Sequence, residues 1–359
     1  MKNPIERLRD NLICGDPQKG ALVVSGKNRR YLTTFPSSAG FLLVTAEKAY
    51  LVLDSRYSEA GAKKAQYCEV LGYKDLAETL GGLVKSHSLK SIHLETSLIT
   101  VADARRFEKI FNDNGAEAVL DDALDNAIIS QRILKSPEEI AKIEAAQSIT
   151  DATFTHMLDF IKEGMTETEI ALEIEFFMRK NGASGLAFGS IVAAGPQSSM
   201  PHAVPSDYKV QQGDFITMDT GAALDGYNSD MTRTIALGHV SDEQREVYET
   251  VLKAHLDAMA AVKPGAICKD IDKIARDLLD AKYPGCFGHG LGHGVGMDIH
   301  EGPRFAPSDS TPCEAGMIIT DEPGVYLPGK FGVRIEDMVL VTEDGHVSLT
   351  HSPKELIEI

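Results

Sequence analysis

The chain has 359 residues, of which 43% are hydrophobic and 25% are charged, an ordinary globular balance with ample material for a core. Its net charge of −17, from 36 basic and 53 acidic residues, argues against a nucleic-acid partner or an anionic membrane surface. The N-terminus lacks the apolar segment of a signal peptide, no apolar run is long enough to span a bilayer, and the five cysteines form no CxxC pair, so we expect a cytoplasmic protein.

The first third of the chain predicts alternating strands and helices. Short apolar, β-branched runs bounded by turn residues predict strands at 21–25, 40–45, 49–54 and 91–94. Helical composition covers 57–66 and 76–87. We therefore expect a small α/β domain over residues 1–125, which ends at an acidic junction.

The remainder of the chain, residues 127–359, carries an internal duplication. Ser136 and Ser241 each open a long helical stretch with Ser followed three residues later by Glu or Gln, the pattern of a capping box. A second helix follows in each half. The strands that come next, within 213–221 and 316–324, have Gly, Ile, Thr, an acid and Gly at the same offsets. This repeat predicts two α/β halves related by a pseudo-two-fold axis.

Five residues in this second region have the composition of a two-metal site. They occur in D-T-G-A-A-L-D-G-Y-N-S-D, H-G-L-G-H-G-V-G, T-D-E-P-G and R-I-E-D, and are Asp219, Asp230, His293, Glu322 and Glu336. Four carboxylates and one imidazole favour Mn²⁺ or a similar ion over a structural zinc, which prefers sulfur and nitrogen ligands. We expect two divalent ions, Mn²⁺ first, with Co²⁺, Zn²⁺ and Fe²⁺ as alternatives.

These motifs resemble the metallopeptidases with the pita-bread fold, a group that includes methionine aminopeptidase, aminopeptidase P and prolidase. Residues from about 127 onward match its catalytic domain, and 1–125 is similar to the creatinase-type N-terminal domain, most clearly at 29–33 and 50–57. The resemblance implies an α/β (α+β) protein whose pita-bread domain follows a smaller α/β domain. Because methionine aminopeptidases usually lack that domain, the proline-specific branch fits better.

The resemblance also implies roles for the proposed ligands. Asp219 would bind one ion, Asp230 and Glu336 would bridge both, and His293 with Glu322 would complete the second. A hydroxide held between the ions would attack the scissile carbonyl, and Glu322 would carry its proton to the departing proline nitrogen.

Further residues match positions near the substrate in this family. His202, His289 and His300 are expected catalytic residues, and His202 and His300 would also contact the substrate. Arg334 matches an arginine near the site, which would either contact the substrate or form an ion pair with a carboxylate ligand. Arg56, beside Tyr57, is a further candidate, because the N-terminal domain of related proteins commonly helps to form the wall of the active site, often across a dimer.

Two aspartates next to the ligands need separate interpretation. Asp321 stands where the family more often has an uncharged residue, and strand alternation predicts that its side chain points away from the metals. Asp337 is expected to orient one of the metal ligands without binding the metal itself.

The leading functional prediction is an Xaa-Pro aminopeptidase acting on peptides with proline at position two, with a homodimer expected by analogy. The main alternative is an Xaa-Pro dipeptidase (prolidase), whose site would be closed by a group that binds the free carboxylate; Arg334 and Arg56 are the candidates. Methionine aminopeptidase, a metal-free creatinase-like hydrolase and a non-catalytic binding module are remote alternatives, and the complete ligand set counts against the last two.

Overall fold

A computed structural model describes residues 2–359, which fall into two compact units, residues 2–132 and 133–359. Both units combine helices with mixed or antiparallel sheets, which confirms the predicted α/β class. Among the described residues, none of the helices has both the length and the apolar character that a bilayer crossing requires.

The first unit contains a six-stranded sheet with helices along its connections. The elements are α1 Pro4–Leu8, a π-helical turn Arg9–Ile13, β1 Lys19–Val23, α2 Gly26–Thr33, β2 Phe41–Thr45, β3 Ala49–Leu53, α3 Ser58–Lys64, β4 Glu69–Gly72, α4 Leu76–Ser86, β5 Ser91–Leu94, α5 Val101–Asn112, β6 Glu117–Val119 and α6 Ala123–Ile133. The strand order is β4-β3-β2-β1-β5-β6. The central strands β1, β2 and β3 pair antiparallel, and the flanking pairs β3–β4, β1–β5 and β5–β6 are parallel.

The second unit repeats one order of elements, two helices followed by antiparallel strands. The first half consists of α7 Pro137–Phe160, α8 Glu167–Lys180, β7 Gly185–Leu186, β8 Ile191–Ala194, a 3₁₀ turn Gly195–Ser199, β9 Phe215–Thr220, β10 Ala222–Leu224, β11 Tyr227–Asn228 and β12 Met231–Ala236. The second half consists of α9 Asp242–Ala260, α10 Cys268–Lys282, β13 Gly292–Gly294, β14 Glu301–Phe305, β15 Ile318–Asp321, β16 Gly324–Leu327, β17 Phe331–Arg334, β18 Asp337–Val341 and β19 His346–Ser348. This order matches the internal repeat that the sequence predicts.

Both predicted capping boxes are formed. The hydroxyl of Ser136 accepts from the Glu139 amide and the Glu139 carboxylate accepts from the Ser136 amide, and Ser241 and Gln244 make the same pair. These reciprocal bonds satisfy amide groups that the first turn of a helix leaves without partners, and so they fix where α7 and α9 begin.

Two sheets carry the candidate ligands of the second unit. In the first half the strand order is β12-β9-β8, and in the second it is β14-β13-β15-β18-β19. Each half has its own apolar core: Ile174, Met218 and Ile235 belong to the first, and Val251 and Ile319 to the second. Packing of the helices against the sheets therefore holds the strand ends in place within each half.

The strand β13 approaches β15 closely at Gly292. A Cβ atom at this position would collide with the carbonyl oxygen of Thr320, whereas a Cβ at Gly288, earlier in the same segment, would meet no atom within 4 Å. Only glycine allows the two backbones to lie this close.

We expect the Gly292→Ala substitution to lower the free energy of unfolding by about 1–3 kcal/mol, because overpacking forces the backbone to shift. Chemical denaturation monitored by circular dichroism measures this. Gly288→Ala is the matched control and should change stability little. Equal stability of the two variants would show that the close approach is not a constraint.

Candidate metal centre

Strand pairing brings the first two candidate ligands together. Asp219 lies on β9, and Asp230 directly precedes β12, which pairs with β9 so that Thr232 faces Asp219. Asp230 is 4% exposed, and the side chain of Asp219 is 14% exposed. The eleven-residue spacing in the sequence is therefore the length of the β10–β11 hairpin that connects two paired strands.

The other three candidate ligands come from the second half. His293 lies on β13, Glu322 directly follows β15, and Glu336 directly precedes β18. Sequence reasoning places Glu322 on a strand. In the structure β15 ends one residue earlier, and the Glu322 amide donates to the Leu291 carbonyl oxygen at 2.8 Å. The residue before a proline favours extended backbone, which keeps Glu322 in line with the strand.

The ligand atoms converge on one point. One ligand atom each of Asp230, His293 and Glu336 lies within 4.8 Å of the others. The Nε2 atom of His293 is 3.6 Å from Asp230 Oδ2 and 3.4 Å from Glu322 Oε1. Asp219 lines the same cavity. All five predicted ligands therefore face one space.

The tautomer of His293 suits a metal ligand. Its Nδ1 atom lies 3.1 Å from the Gly294 carbonyl oxygen, a contact that requires the proton on Nδ1 and leaves the lone pair of Nε2 directed toward the carboxylates. Burial, and then the neighbouring His300, lowers the pKa of His293 to about 4, so the ring is neutral at pH 7. A neutral imidazole with a fixed tautomer can bind a cation through Nε2.

Two threonine hydroxyls orient two of the glutamates. Thr232 Oγ1 donates to Glu336 Oε2 at 2.7 Å, and Thr320 Oγ1 donates to Glu322 Oε1 at 3.2 Å. The backbone amide of His293 in turn donates to Thr320 Oγ1 at 3.0 Å. These bonds limit the rotation of the carboxylates, as partners of metal ligands commonly do.

Arg334 is buried, and its guanidinium makes four hydrogen bonds within the protein. It donates to Asp219 Oδ2 at 2.6 Å, to Thr232 Oγ1 at 3.0 Å and to the Tyr326 hydroxyl at 2.9 Å. It also donates to the Pro201 carbonyl oxygen at 3.3 Å. Of the two roles that the sequence leaves open, this geometry favours the ion pair with a carboxylate ligand.

Tyr326 extends this chain of bonds to His289. The Nε2 atom of His289 lies 2.9 Å from the Tyr326 hydroxyl, and its Nδ1 atom lies 2.8 Å from the Gly290 carbonyl oxygen. Because burial lowers the pKa of His289 to about 4, the ring is neutral. It therefore donates from Nδ1 and accepts the Tyr326 proton at Nε2, and Arg334 donates to the Tyr326 oxygen.

The carboxylates strongly favour a bound cation. Burial, then Asp219 and Glu322, raises the pKa of Asp230 well above its usual range. Burial and then Asp230 does the same for the pKa of Glu336, and burial raises the pKa of Glu322 to about 8. Asp219 Oδ1 is buried and has no hydrogen-bond partner among the described residues. An oxygen-rich set with an unsatisfied buried oxygen fits divalent ions, which would relieve this repulsion.

The cavity in front of the ligands has a volume of about 640 Å³, enough for a small peptide. His202 and His300 are exposed on its wall, and the His300 ring lies against His293 with ring centres 4.3 Å apart. Apolar side chains form other parts of the wall, among them Phe188, Val204 and Ile299. The cavity thus combines free imidazoles with apolar surface.

The structure brings most of the predicted site residues together. Besides the five predicted ligands, His202, His289, His300 and Arg334 all line this cavity. Arg56 lies in the first unit, where its guanidinium donates to Asp54 Oδ2 at 2.6 Å. Its role as a substrate contact stays a prediction.

The sequence did not predict two residues of the site: Tyr326, in the hydrogen-bond network of Arg334, and Arg304, on the cavity wall. Tyr326 lies two residues after the glycine of E-P-G. Its apolar neighbours in the sequence give no sign that its hydroxyl bonds to Arg334 and His289. Arg304 lies four residues beyond His300 and is exposed on the cavity wall. Its guanidinium has no ion pair with the residues that the structure describes. Its closeness to H-E-G-P is the signal that identifies it in retrospect.

Comparison with known proteins places this site in a family. The family model described as metallopeptidase family M24 matches residues 141–343, more than half of the chain. The chain belongs to metallopeptidase family M24. A second model, the creatinase/prolidase N-terminal domain, matches residues 5–127. The predicted resemblance and the predicted pita-bread architecture are both confirmed.

Individual members of family M24 are similar over nearly the whole chain. An Xaa-Pro dipeptidase of Pyrococcus horikoshii is 37% identical over 346 residues, which cover 94% of this chain and 93% of that protein. The structure of an Xaa-Pro dipeptidase from Bacillus anthracis matches with a TM-score of 0.94 and 38% identity, covering 99% of each chain. The structure of an X-Pro aminopeptidase from Thermotoga maritima matches with a TM-score of 0.89 and 34% identity, covering 95% of this chain and 97% of that chain.

For this M24 member we expect Glu336→Gln to weaken Mn²⁺ binding by more than about 100-fold, because even partners outside the ligand set typically contribute 10- to 100-fold. The neutral amide keeps the shape of the side chain but removes the charge at the point where the ligands converge. Isothermal titration of the metal-free protein measures the affinity. Exposed Glu343 provides the control substitution Glu343→Gln, and unchanged affinity in Glu336→Gln would exclude it as a ligand.

Proposed function

We propose that the chain is an Xaa-Pro dipeptidase that holds two divalent ions, Mn²⁺ first, between Asp219, Asp230, His293, Glu322 and Glu336. The sequence alone favours the aminopeptidase; the dipeptidase, its main alternative, has the better support. The observation that carries the choice is Arg304, a free guanidinium on the wall of the cavity that contains the ligands. The relatives named Xaa-Pro dipeptidase support the same choice.

A dipeptidase needs a cation that can bind the carboxylate of the second residue. Arg334, one sequence candidate, is 3% exposed and donates to Asp219, Thr232 and Tyr326, so it has little capacity left for a substrate. Arg304 is exposed and can form two parallel bonds to a carboxylate, the geometry that arginine favours. We therefore assign the carboxylate contact to Arg304.

The residues of this chain can supply the steps of peptide hydrolysis. When bound, divalent ions would polarise the carbonyl and lower the pKa of water. The water oxygen bonds to the carbonyl carbon, Glu322 carries the proton to the proline nitrogen, and the C–N bond breaks. His202 and His300 lie exposed on the cavity wall, where an imidazole N–H can donate to the oxygen that gains charge.

Recognition of proline calls for shape more than for hydrogen bonds. An X-Pro amide has no N–H group, so strand-like pairing with the substrate fails at that residue. The apolar side chains of Phe188, Val204 and Ile299 offer surface for a ring, and Arg304 offers charge for the terminus. This combination suits a short substrate with an apolar second residue.

The proposal also includes a cytoplasmic homodimer, as the sequence and the family resemblance predict. The five cysteines are free, which suits a reducing compartment. Sedimentation equilibrium of the full chain measures the oligomeric state, and a monomer at micromolar concentration would contradict this part.

We expect the Mn²⁺-loaded protein to cleave an Xaa-Pro dipeptide and to leave the same sequence extended by two residues intact, because the extension removes the carboxylate from the reach of Arg304. Mass spectrometry of both reactions measures this. Cleavage of the longer peptide after its first residue would instead support an aminopeptidase. Cleavage of neither, with metal bound, would contradict the substrate class.

We expect Arg304→Ala to lower kcat/KM for the dipeptide by about 10- to 100-fold, because a hydrogen bond to a charged group contributes roughly 1.5–3 kcal/mol. The same variant should show a much smaller loss on the dipeptide amide, which has no carboxylate, and this provides the internal control. An equal loss on both substrates would indicate that Arg304 acts on the metal centre and not on the substrate.

A further inference from the structure

A buried cluster of charges lies behind the proposed ligands. Asp321 and Asp337 face each other across the paired strands β15 and β18, and each adjoins a ligand in sequence, Glu322 and Glu336 respectively. Successive side chains on a strand point to opposite faces of the sheet. The two aspartates therefore point away from the cavity, as the sequence predicts for Asp321.

Two carboxylates opposite each other in a buried ladder repel and require a cation between them. Helix α9 supplies it. His255, on the buried face of this helix, places Nδ1 at 3.3 Å from Asp321 Oδ2 and Nε2 at 3.5 Å from Asp337 Oδ2. The side chains of all three residues are fully buried. The imidazole therefore links the two ligand-bearing strands from their rear face.

The two aspartates differ in how much they depend on His255. Asp337 also accepts from Arg233 at 2.8 Å and Ser348 at 3.0 Å, and forms an ion pair with Lys354 at 2.6 Å. Asp321 has no other ion pair among the described residues, and its two carboxylate oxygens lack any hydrogen-bond donor there. His255 is thus the one charged group that connects Asp321 to the opposite strand.

The charge state of His255 agrees with this arrangement. Burial lowers its pKa, but Asp321 and Asp337 more than offset that effect and raise the pKa to about 9. His255 Nδ1 donates its proton to the main-chain carbonyl oxygen of Asp321 at 3.2 Å, and its contacts to the two carboxylates are ion pairs. This contact holds the main chain at residue 321, directly before Glu322.

We propose that His255 is a positioning residue of the metal centre: by binding Asp321 and Asp337 together, it sets the spacing of the Glu322 and Glu336 carboxylates. The inference rests on the proposed metal centre but not on the peptide that the protein cleaves.

Two other accounts give different expectations for metal affinity. If the cluster acted only through its electric field, loss of the His255 charge would strengthen cation binding, and loss of both charges together would leave it unchanged. If the cluster only stabilised the fold, the stability would fall and the affinity would stay the same. Positioning predicts weaker binding in both cases.

The deciding variant is the double substitution His255→Leu and Asp321→Val. It removes the link between the strands without changing the net charge of the pair, and replacement of a buried ion pair by apolar residues is often tolerated. We expect the affinity for Mn²⁺ to fall by about 10- to 100-fold, as for other partners of metal ligands. Isothermal titration of the metal-free full chain measures it, and activity should return at saturating Mn²⁺.

The matched control removes another histidine–carboxylate pair of the second unit. His156 on α7 and Glu173 on α8 lie 2.8 Å apart, and neither element carries a ligand, so His156→Leu with Glu173→Val should leave Mn²⁺ affinity unchanged. The single variant His255→Gln provides a second test should the double variant fail to fold, since it too should bind Mn²⁺ more weakly.

Unchanged affinity in the folded double variant would overturn the proposal, as would tighter binding in His255→Gln. Titration of the unsubstituted protein with Mn²⁺ distinguishes a failure of this inference from a failure of the proposed metal centre. If the parent binds no Mn²⁺ in the same titration, the proposed ligand set is wrong and the inference falls with it. If the parent binds Mn²⁺ and the variants bind it equally well, only the role of His255 is wrong.

Discussion

Four carboxylates share one buried space in the second unit, and their mutual repulsion is the constraint around which the site is arranged. Asp230 and Glu336 are almost fully enclosed, at 4% and 1% exposure, so water cannot screen their charges. Arg334 offsets part of this repulsion through Asp219, but one guanidinium cannot balance four carboxylates. Divalent ions between the ligands would balance the rest, which explains why an otherwise unfavourable cluster can be maintained.

The surrounding structure serves mainly to hold these groups in fixed positions. Threonine hydroxyls orient Glu322 and Glu336, and Tyr326 connects Arg334 to His289. The strands themselves are located by close backbone contact at Gly292 and by the buried His255 cluster on the rear face. Rigid support of this kind lets a site keep like charges together without collapse of the ligand geometry.

The sequence predicts the parts of this account that depend on periodicity and local pattern. The capping boxes at Ser136 and Ser241, the two-half repeat and the direction of the Asp321 side chain all follow from rules that act over a few residues. The convergence of Asp219 with Glu336 depends on pairing between distant strands, and it was accessible only through the repeat and the family motifs.

Interactions between side chains far apart in sequence were not predictable in the same way. His255 belongs to no motif, and nothing in its neighbourhood shows that a helix brings it between Asp321 and Asp337. The sequence suggests Arg334 and Arg56 as the groups that bind a substrate carboxylate and gives no such role to Arg304. Contacts in the structure favour Arg304 over Arg334, since Arg334 is bonded to Asp219 and Tyr326 and Arg304 is exposed in the cavity.

The most direct test of the two-ion centre is anomalous X-ray diffraction at the manganese edge from crystals of the full chain grown with Mn²⁺. The account predicts two anomalous peaks in the cavity, both in contact with Asp230 and Glu336, with Asp219 on one and His293 on the other. A single peak, or peaks only outside these carboxylates, would contradict it.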